Sequence, residues 1–369
     1  MEIYDAVIVG GGPAGATAAI VLARSGRRVM LLNSSDSGFK IGESLPSAAK
    51  KLLQEIVVWN DFILDEHLPC YGNLSAWGSS YLQSTDTVFD PYGHGWHLDR
   101  RRFDSLLREK ARKLGAHVYE NAVLKRCDFS TFKNEKLWSL SIFTANRIIR
   151  VKSRFIIDAS GRRAVVARSA GIKRIAKDRL ASCYALFQPT SSVDDRDSRT
   201  IIEAVSGGWW YSALLPDRKR VAAFHTDADL IRTDPLLNTS EEFYSRLEET
   251  EHINQLIKAK GYLPDRSAKV TMANSERLEV FSGEGWAAAG DSAIAFDPLS
   301  SQGIITAIYT GMRSGQAADL HLSGKSDVLA EYNHAVAKIY DIYQANLQNW
   351  YSIEKRWTNG EFWKRRQQN

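Results

Sequence analysis

Ile3 to Val9 is a short apolar run rich in β-branched residues, the pattern of a strand buried on both faces. Pro13 to Ser25 is alanine-rich with helical spacing and stops at Gly26, and Arg28 to Leu32 supplies a second buried strand. Together they predict one βαβ unit at the start of the chain. From Pro69 to Trp96 the helical period gives way to Gly, Ser, Tyr and Trp, which points to strands or loops over a ligand. Asp99 to Leu114 is helical again, with Gly115 as its stop. Two or three short strands are expected over Ala122 to Arg150, then a buried strand over Arg154 to Ile157. Residues 178–226 read as antiparallel strands with a turn at Pro216-Asp217. Thr239 to Lys260 reads as a helix and Trp286 to Ala289 as a buried strand. Ser300 to Leu322 is a long small-residue helix, and Asp327 to about Trp357 another. The fold class expected is α/β: a Rossmann-like domain with an inserted antiparallel β-sheet domain and a C-terminal helical segment.

Length changes this picture only by requiring more than one core, since 369 residues exceed what a single core usually serves. The net charge of +5 suits an anionic cofactor or an acidic partner, but no basic block argues for nucleic acid. Cys70, Cys127 and Cys183 are far apart, so neither a disulfide framework nor a metal site is expected. The apolar start carries acidic Glu2 and Asp5 where a signal peptide would be basic, and no run approaches a membrane span. A cytoplasmic protein with reduced thiols is the expectation.

Candidate chemistry begins at Gly10-Gly11-Gly12-Pro13-Ala14-Gly15, which fits G-x-G-x-x-G between strand and helix. Gly10 allows the tight turn, Gly12 leaves room for a pyrophosphate, and Gly15 lets helix and strand pack closely. Pro13 and Ala14 open the helix, whose free N–H groups face the phosphates. The bland alternative is a glycine-rich turn without a ligand. One position departs from the pattern. Asn33, followed by Ser34-Ser35-Asp36, stands where a carboxylate normally binds the ribose, so weaker adenosine binding and partial cofactor loss are expected. Further on, Trp286 to Ala289 runs into Gly290-Asp291, with Asp297-Pro298 and Gly303-Ile304 close behind. Asp291 is placed for ribityl hydroxyls and the Gly303 helix end for a flavin's pyrimidine edge; an ordinary Asp-Pro helix start is the bland reading.

With these motifs the chain resembles the class A FAD-dependent monooxygenase superfamily, built on the p-hydroxybenzoate hydroxylase fold. That superfamily includes tryptophan-halogenase-like and geranylgeranyl-reductase-like branches. Leu98-Asp99-Arg100-Arg101-Arg102-Phe103-Asp104 resembles its Arg-x-x-Phe-Asp helix start, in which the arginine, Arg100 here, reaches FAD. Ile157-Asp158-Ala159-Ser160-Gly161 resembles its Asp-Gly segment, although two residues separate Asp158 from Gly161. Lys40-Ile41-Gly42-Glu43-Ser44-Leu45-Pro46 resembles the Gly-Glu-Ser motif that lies against the isoalloxazine. Ser44 could equally cap the helix after Pro46. The resemblance implies a discontinuous FAD-binding domain (residues 1–70, 95–175 and 265–325), a substrate domain (71–94 and 176–264) and a C-terminal helical region (326–369).

The activity implied is monooxygenation of an aromatic substrate, with NADH or NADPH as a transient reductant. Halogenation is disfavoured: Gly208-Trp209-Trp210-Tyr211-Ser212-Ala213-Leu214-Leu215-Pro216 breaks the Trp-x-Trp-x-Ile-Pro signature, and residues 70–85 contain no lysine. On a strand Trp209 and Tyr211 share a face and could line an aromatic pocket, though core packing explains them as well. Glu43, Ser44 and His225 complete the catalytic candidates; a lone strand histidine is more often structural. A narrower resemblance, carried by the Gly-Glu-Ser-Leu-Pro and Trp-Trp-Tyr-Ser stretches, is to flavoproteins that help make cysteine tryptophylquinone. It implies a tryptophan in a precursor oxidase as substrate. Alternatives are a flavin reductase or dehydrogenase on an unsaturated small molecule, and a largely non-catalytic flavin-bearing maturation partner. The C-terminal Trp350, Tyr351, Trp357, Phe362 and Trp363, among Lys355, Arg356, Lys364, Arg365 and Arg366, allow partner docking, packing on the protein's own body or membrane contact.

Overall fold

The structure is a computed structural model that describes residues 2–34, 38–87, 90–132, 135–190, 195–233, 240–265 and 267–367. Ser35, Asp36 and Thr239 lie outside them. Ile3–Val9 sits at the middle of a parallel array, flanked by Val29–Leu32 and Arg147–Asp158. His117–Tyr119 and Trp286–Ala288 extend the array on either side. Its central strands are covered on both faces, which is why they read as continuous apolar runs rather than alternating ones. The helix Pro13–Arg24 packs against Gly303–Leu322 at close range: a Cβ at Gly311 would lie 2.2 Å from the Ala14 carbonyl oxygen. The small residues of that second helix are there for this approach.

Where short strands were expected, three long ones occur. Val123–Phe132, Glu135–Thr144 and Arg147–Asp158 form an antiparallel meander, and the third runs unbroken into the parallel array. The buried segment Arg154 to Ile157 is thus the end of a longer strand.

A second sheet holds Leu180–Pro189, Arg220–Asp227, Gly208–Leu214 and Thr200–Val205 in antiparallel order. Gly72–Ala76 joins Thr200–Val205 in parallel and carries Gln83–Asp86 at the margin. The expected helix over residues 239–260 is two helices, Ser240–Leu247 and His252–Ala259. Glu203, from the sheet beneath, explains the break. Its buried carboxylate accepts hydrogen bonds from the backbone N–H groups of Glu251, His252 and Ile253, capping the second helix.

The C-terminal helix Val328–Ile353 buries Tyr332, Val336, Tyr340, Tyr343, Leu347 and Tyr351 along one face. After it, Glu361–Gln367 folds back on the second sheet: Phe362 and Trp363 are buried, and the Trp363 indole N–H donates to the Val205 carbonyl at 2.9 Å. Arg366 ends on the Asp227 carboxylate at 2.6 Å. Of the three uses open to this tail, packing on the protein's own body describes Tyr351, Phe362 and Trp363, while Trp350 stays 56% exposed. No helix among the described residues is long and apolar enough to cross a membrane.

Candidate active site

A cleft of about 710 Å³ opens between the C-terminal ends of the parallel strands and the second sheet. Gly10, Gly12, Pro13 and Ala14 line it. Gly10 has φ +116°, and a Cβ there would stand 2.1 Å from the Ala159 carbonyl oxygen. Gly15 lies behind the lining, where a Cβ would meet the Gly10 carbonyl at 1.9 Å, so its role is the expected close packing. Gly12 faces open space within 4 Å. The helix that follows has no side-chain cap, and neither has Gly303–Leu322, whose start also borders the cleft. Two uncapped helix N-termini on one cleft suit a doubly charged pyrophosphate and a ring that gains negative charge.

Asn33 also lines the cleft, but its amide is already engaged: Nδ2 donates to Glu120 at 2.6 Å. Glu120 in turn accepts from Arg108 Nε at 3.0 Å, and Arg108 Nη1 donates to the Gly11 carbonyl at 3.0 Å. A carboxylate thus stands one strand over, held against Asn33 but outside the cleft lining. Glu120 and Arg108 escaped the sequence reading. The available signal was the place of Glu120, directly after His117–Tyr119 at the ligand end of a parallel strand.

Gly42, Glu43, Ser44 and Arg100 meet at the cleft's middle. Arg100 Nη1 donates to the Gly42 carbonyl at 2.8 Å, while Asp104 holds both Arg100 (3.2 Å) and Lys40 (2.9 Å). The loop is thus pinned beside the cofactor wall. Ser44 is not a helix cap: the next helix, Ala49–Glu55, begins after Ala48 without side-chain capping, and Ser44 instead pairs with His97 in a short sheet. Gly161, Gly290, Asp291, Pro298, Gly303 and Ile304 line the cleft. Asp158 does not. Its fully buried carboxylate turns inward, accepting from the N–H groups of Val166 (2.8 Å) and Ala167 (3.0 Å) and from Ser160 and Ser292 hydroxyls. Two free amides at the start of the short helix Val165–Ser169 outcompete the cleft for that charge.

The second sheet supplies the opposite wall. Tyr211 donates its hydroxyl proton to Glu43 Oε1 at 2.5 Å, and Gly42 N–H donates to Oε2 at 3.0 Å. Glu43 is 1% exposed, and burial pushes its carboxyl above the ordinary carboxylate range; burial and the Glu43 charge push the Tyr211 phenol well above its own. His225 lines the cleft and is stacked on Trp209, ring centroids 3.8 Å apart. Burial pushes His225 down to about 3, so its imidazole is neutral at physiological pH. Trp209 itself lies behind His225, fully buried and away from the cleft: the two are directly paired across adjacent strands, and the smaller ring stands in front. His225 Nδ1 and Ser182 Oγ, opposite each other in register, are buried without hydrogen-bond partners among the described residues. Asp297, read from sequence either as part of the flavin-facing segment or as an ordinary helix start, also borders the cleft. Burial, with the Asp178 charge, pushes it up to about 7, while Tyr351 donates to it at 2.7 Å and the Trp209 indole donates to Tyr351 at 3.1 Å.

The FAD binding domain family model matches residues 3–341. The chain is similar to LodB of Marinomonas mediterranea, a protein named as an FAD-dependent oxidoreductase, with 30% identity over 99% of this chain and 97% of that protein. It is 23% identical to the digeranylgeranylglycerophospholipid reductase of Thermoplasma volcanium, over 96% of this chain and 88% of the reductase. Among solved structures, the myxobacterial chondrochloren halogenase CndH superposes with a TM-score of 0.86 at 22% identity, over 99% of this chain and 86% of that one.

Proposed function

The chain belongs to the FAD binding domain family and is an FAD-dependent oxidoreductase; on that premise we propose that it is a monooxygenase hydroxylating an aromatic substrate. In its finer form the substrate is a tryptophan side chain of a precursor oxidase protein during cysteine tryptophylquinone maturation, in the cytoplasm, with NADH or NADPH as reductant. FAD, when bound, supplies two-electron storage and activation of O₂. The remaining work falls to residues of the chain.

Gly10, Gly12 and the two helix N-termini would hold the cofactor's negative charge, and Arg100 fixes the Gly42 loop against it. The observation that supports an aromatic substrate is the character of the opposite wall. Tyr211, Ser182 and His225 present polar atoms there without a full charge, and His225 is backed by the Trp209 ring. Such a wall orients a neutral ring bearing an N–H or O–H and keeps water from competing for it. Glu43 accepts the Tyr211 hydroxyl in a short hydrogen bond and so fixes that phenol on the substrate wall. Among the described residues that line the cleft the sole lysine is Lys40, tied to Asp104, so a free substrate-side lysine of the halogenating kind is lacking there.

The test is turnover under ¹⁸O₂. FAD-loaded protein, given NADH or NADPH and indole-bearing substrates, should place one labelled oxygen in the product. The similarity to a reductase supports a second reading, reduction of an unsaturated small molecule. Reduced product without label would establish that reading and end the first.

A further inference from the structure

The second sheet has an open margin at the cleft. Leu180–Pro189 is paired on one side by Arg220–Asp227 and on the other by two short strands, Tyr262–Pro264 and Lys269–Met272. Among the described residues Lys269–Met272 uses only one of its edges, in the register Tyr184 with Lys269 through Ala181 with Met272. All four of its residues are exposed, Val270 by 54% and Met272 by 47%. Proteins usually blunt such an edge with proline, a bulge or a covering loop. Among the described residues this strand carries none of these; it is short and has Lys269 at one end, and its margin is apolar at two of four positions. Thr271 and Met272 also line the cleft, so a chain laid along the edge runs across its mouth.

Charge says what that chain is. Lys269 stands at one end of the edge. Lys177, whose N–H donates to the Ser275 carbonyl, stands beyond the other. Arg163 is exposed on the cleft itself. Among the described residues none of the three has a carboxylate partner. The carboxylates nearby are engaged: Asp265 by Lys219 at 2.7 Å, Glu276 by Arg174 at 2.7 Å, and Asp178 by the N–H groups of Leu180 and Ser275. Among the described residues the rim therefore carries lysines without ion pairs, at one end and beyond the other, along a half-apolar strand edge that is paired on one side only.

We propose that an extended acidic segment of a partner protein adds as a strand to the Lys269–Met272 edge and delivers an aromatic side chain into the cleft. This rests on the protein-substrate form of the function proposed above. Main-chain hydrogen bonds supply the affinity, Val270 and Met272 take alternate apolar side chains, and Lys269 and Lys177 select acidic neighbours.

The test uses FAD-loaded full-length protein and a short fluorescent peptide with a central tryptophan flanked by alternating aspartate and valine. Binding is followed by anisotropy. The peptide should bind, a lysine-for-aspartate version should not, and Lys177→Glu with Lys269→Glu should weaken binding roughly tenfold or more. N-methylation of alternate peptide amides should abolish binding while leaving every side chain in place, the signature of strand pairing. Binding indifferent to N-methylation or to charge reversal, or no binding at all, overturns the edge as the docking site. Oxygenation of free 3-methylindole by the same preparation is scored separately. Oxygenation without peptide binding removes the docking site and leaves the monooxygenase; peptide binding without oxygenation of either substrate does the reverse.

Discussion

Replacing Asp297 with asparagine should change how stability depends on pH. Asp297 is buried, accepts from Leu299 N–H at 2.9 Å and from the Tyr351 hydroxyl at 2.7 Å, and is pushed by burial from 3.8 to about 7. Because its folded value is raised, the fold keeps a proton that the unfolded chain has released. The stability this contributes is fully present below the ordinary carboxylate range and is lost as pH rises toward and past 7. The gap is worth about 4 kcal/mol when complete, of which about 3 kcal/mol falls between about pH 4 and about pH 7. Asparagine has nearly the same shape, can still accept from Leu299, and has no proton to lose. Urea unfolding of FAD-loaded protein and variant across that range isolates the effect, because every other titrating group cancels in the difference. The variant should gain about 3 kcal/mol on the parent as pH rises. A difference that stays flat with pH would refute the reasoning, since it would mean that Asp297 ionises alike in both states.

Three further outcomes follow from the same geometry. Gly12→Ala meets no atom within 4 Å, so the variant should melt like the parent without FAD yet bind FAD at least about tenfold more weakly in a fluorescence titration; equal affinity would show that the phosphates lie elsewhere. Asn33→Asp restores the usual carboxylate but sets it against Glu120, at present 2.6 Å from the Asn33 amide, so FAD occupancy of the purified variant should fall below the parent's; pairing it with Glu120→Gln should recover occupancy. Trp363→Ala removes a fully buried ring and the hydrogen bond to Val205, and should cost about 3–5 kcal/mol in chemical denaturation, whereas Trp350→Ala, half exposed, should cost under about 1 kcal/mol.

Local backbone demands were legible in the sequence. A turn at φ +116° against a carbonyl admits glycine and little else, so the glycines of residues 10–15 announce themselves by spacing. The binding of FAD followed from them. What stayed hidden depends on partners distant in the chain. The break between the helices at residues 240–259 is made by Glu203, about fifty residues earlier, and no periodicity carries that. Asp158 matches a cofactor motif in composition, but its carboxylate is claimed by amides at 166 and 167. Alternation placed Trp209 and Tyr211 on one face correctly. It could not say that His225 from the neighbouring strand would stand in front of one and leave the other open.

The same limit explains why the sequence assigns the C-terminal helix no part in the site, although the helix supports it. Its buried stripe has the spacing of a packing face, and tyrosine serves that face as an aromatic. The hydroxyls, however, are not idle in the way a packing residue's would be. Tyr343 stacks on Phe296 with centroids 4.0 Å apart, accepts from the Asp297 N–H at 2.7 Å and shares a hydrogen bond with the Ser275 hydroxyl at 2.6 Å. Tyr351, two turns on, donates to the Asp297 carboxylate and accepts from Trp209, the ring beneath His225. One helix thus touches both walls, fixing the acid on the cofactor side and the aromatic floor on the substrate side. Phenylalanine at either position would keep most of the packing and lose that connection. The sequence distinguishes these roles by a single oxygen, which hydrophobic patterning does not register and only the neighbouring polar atoms reveal.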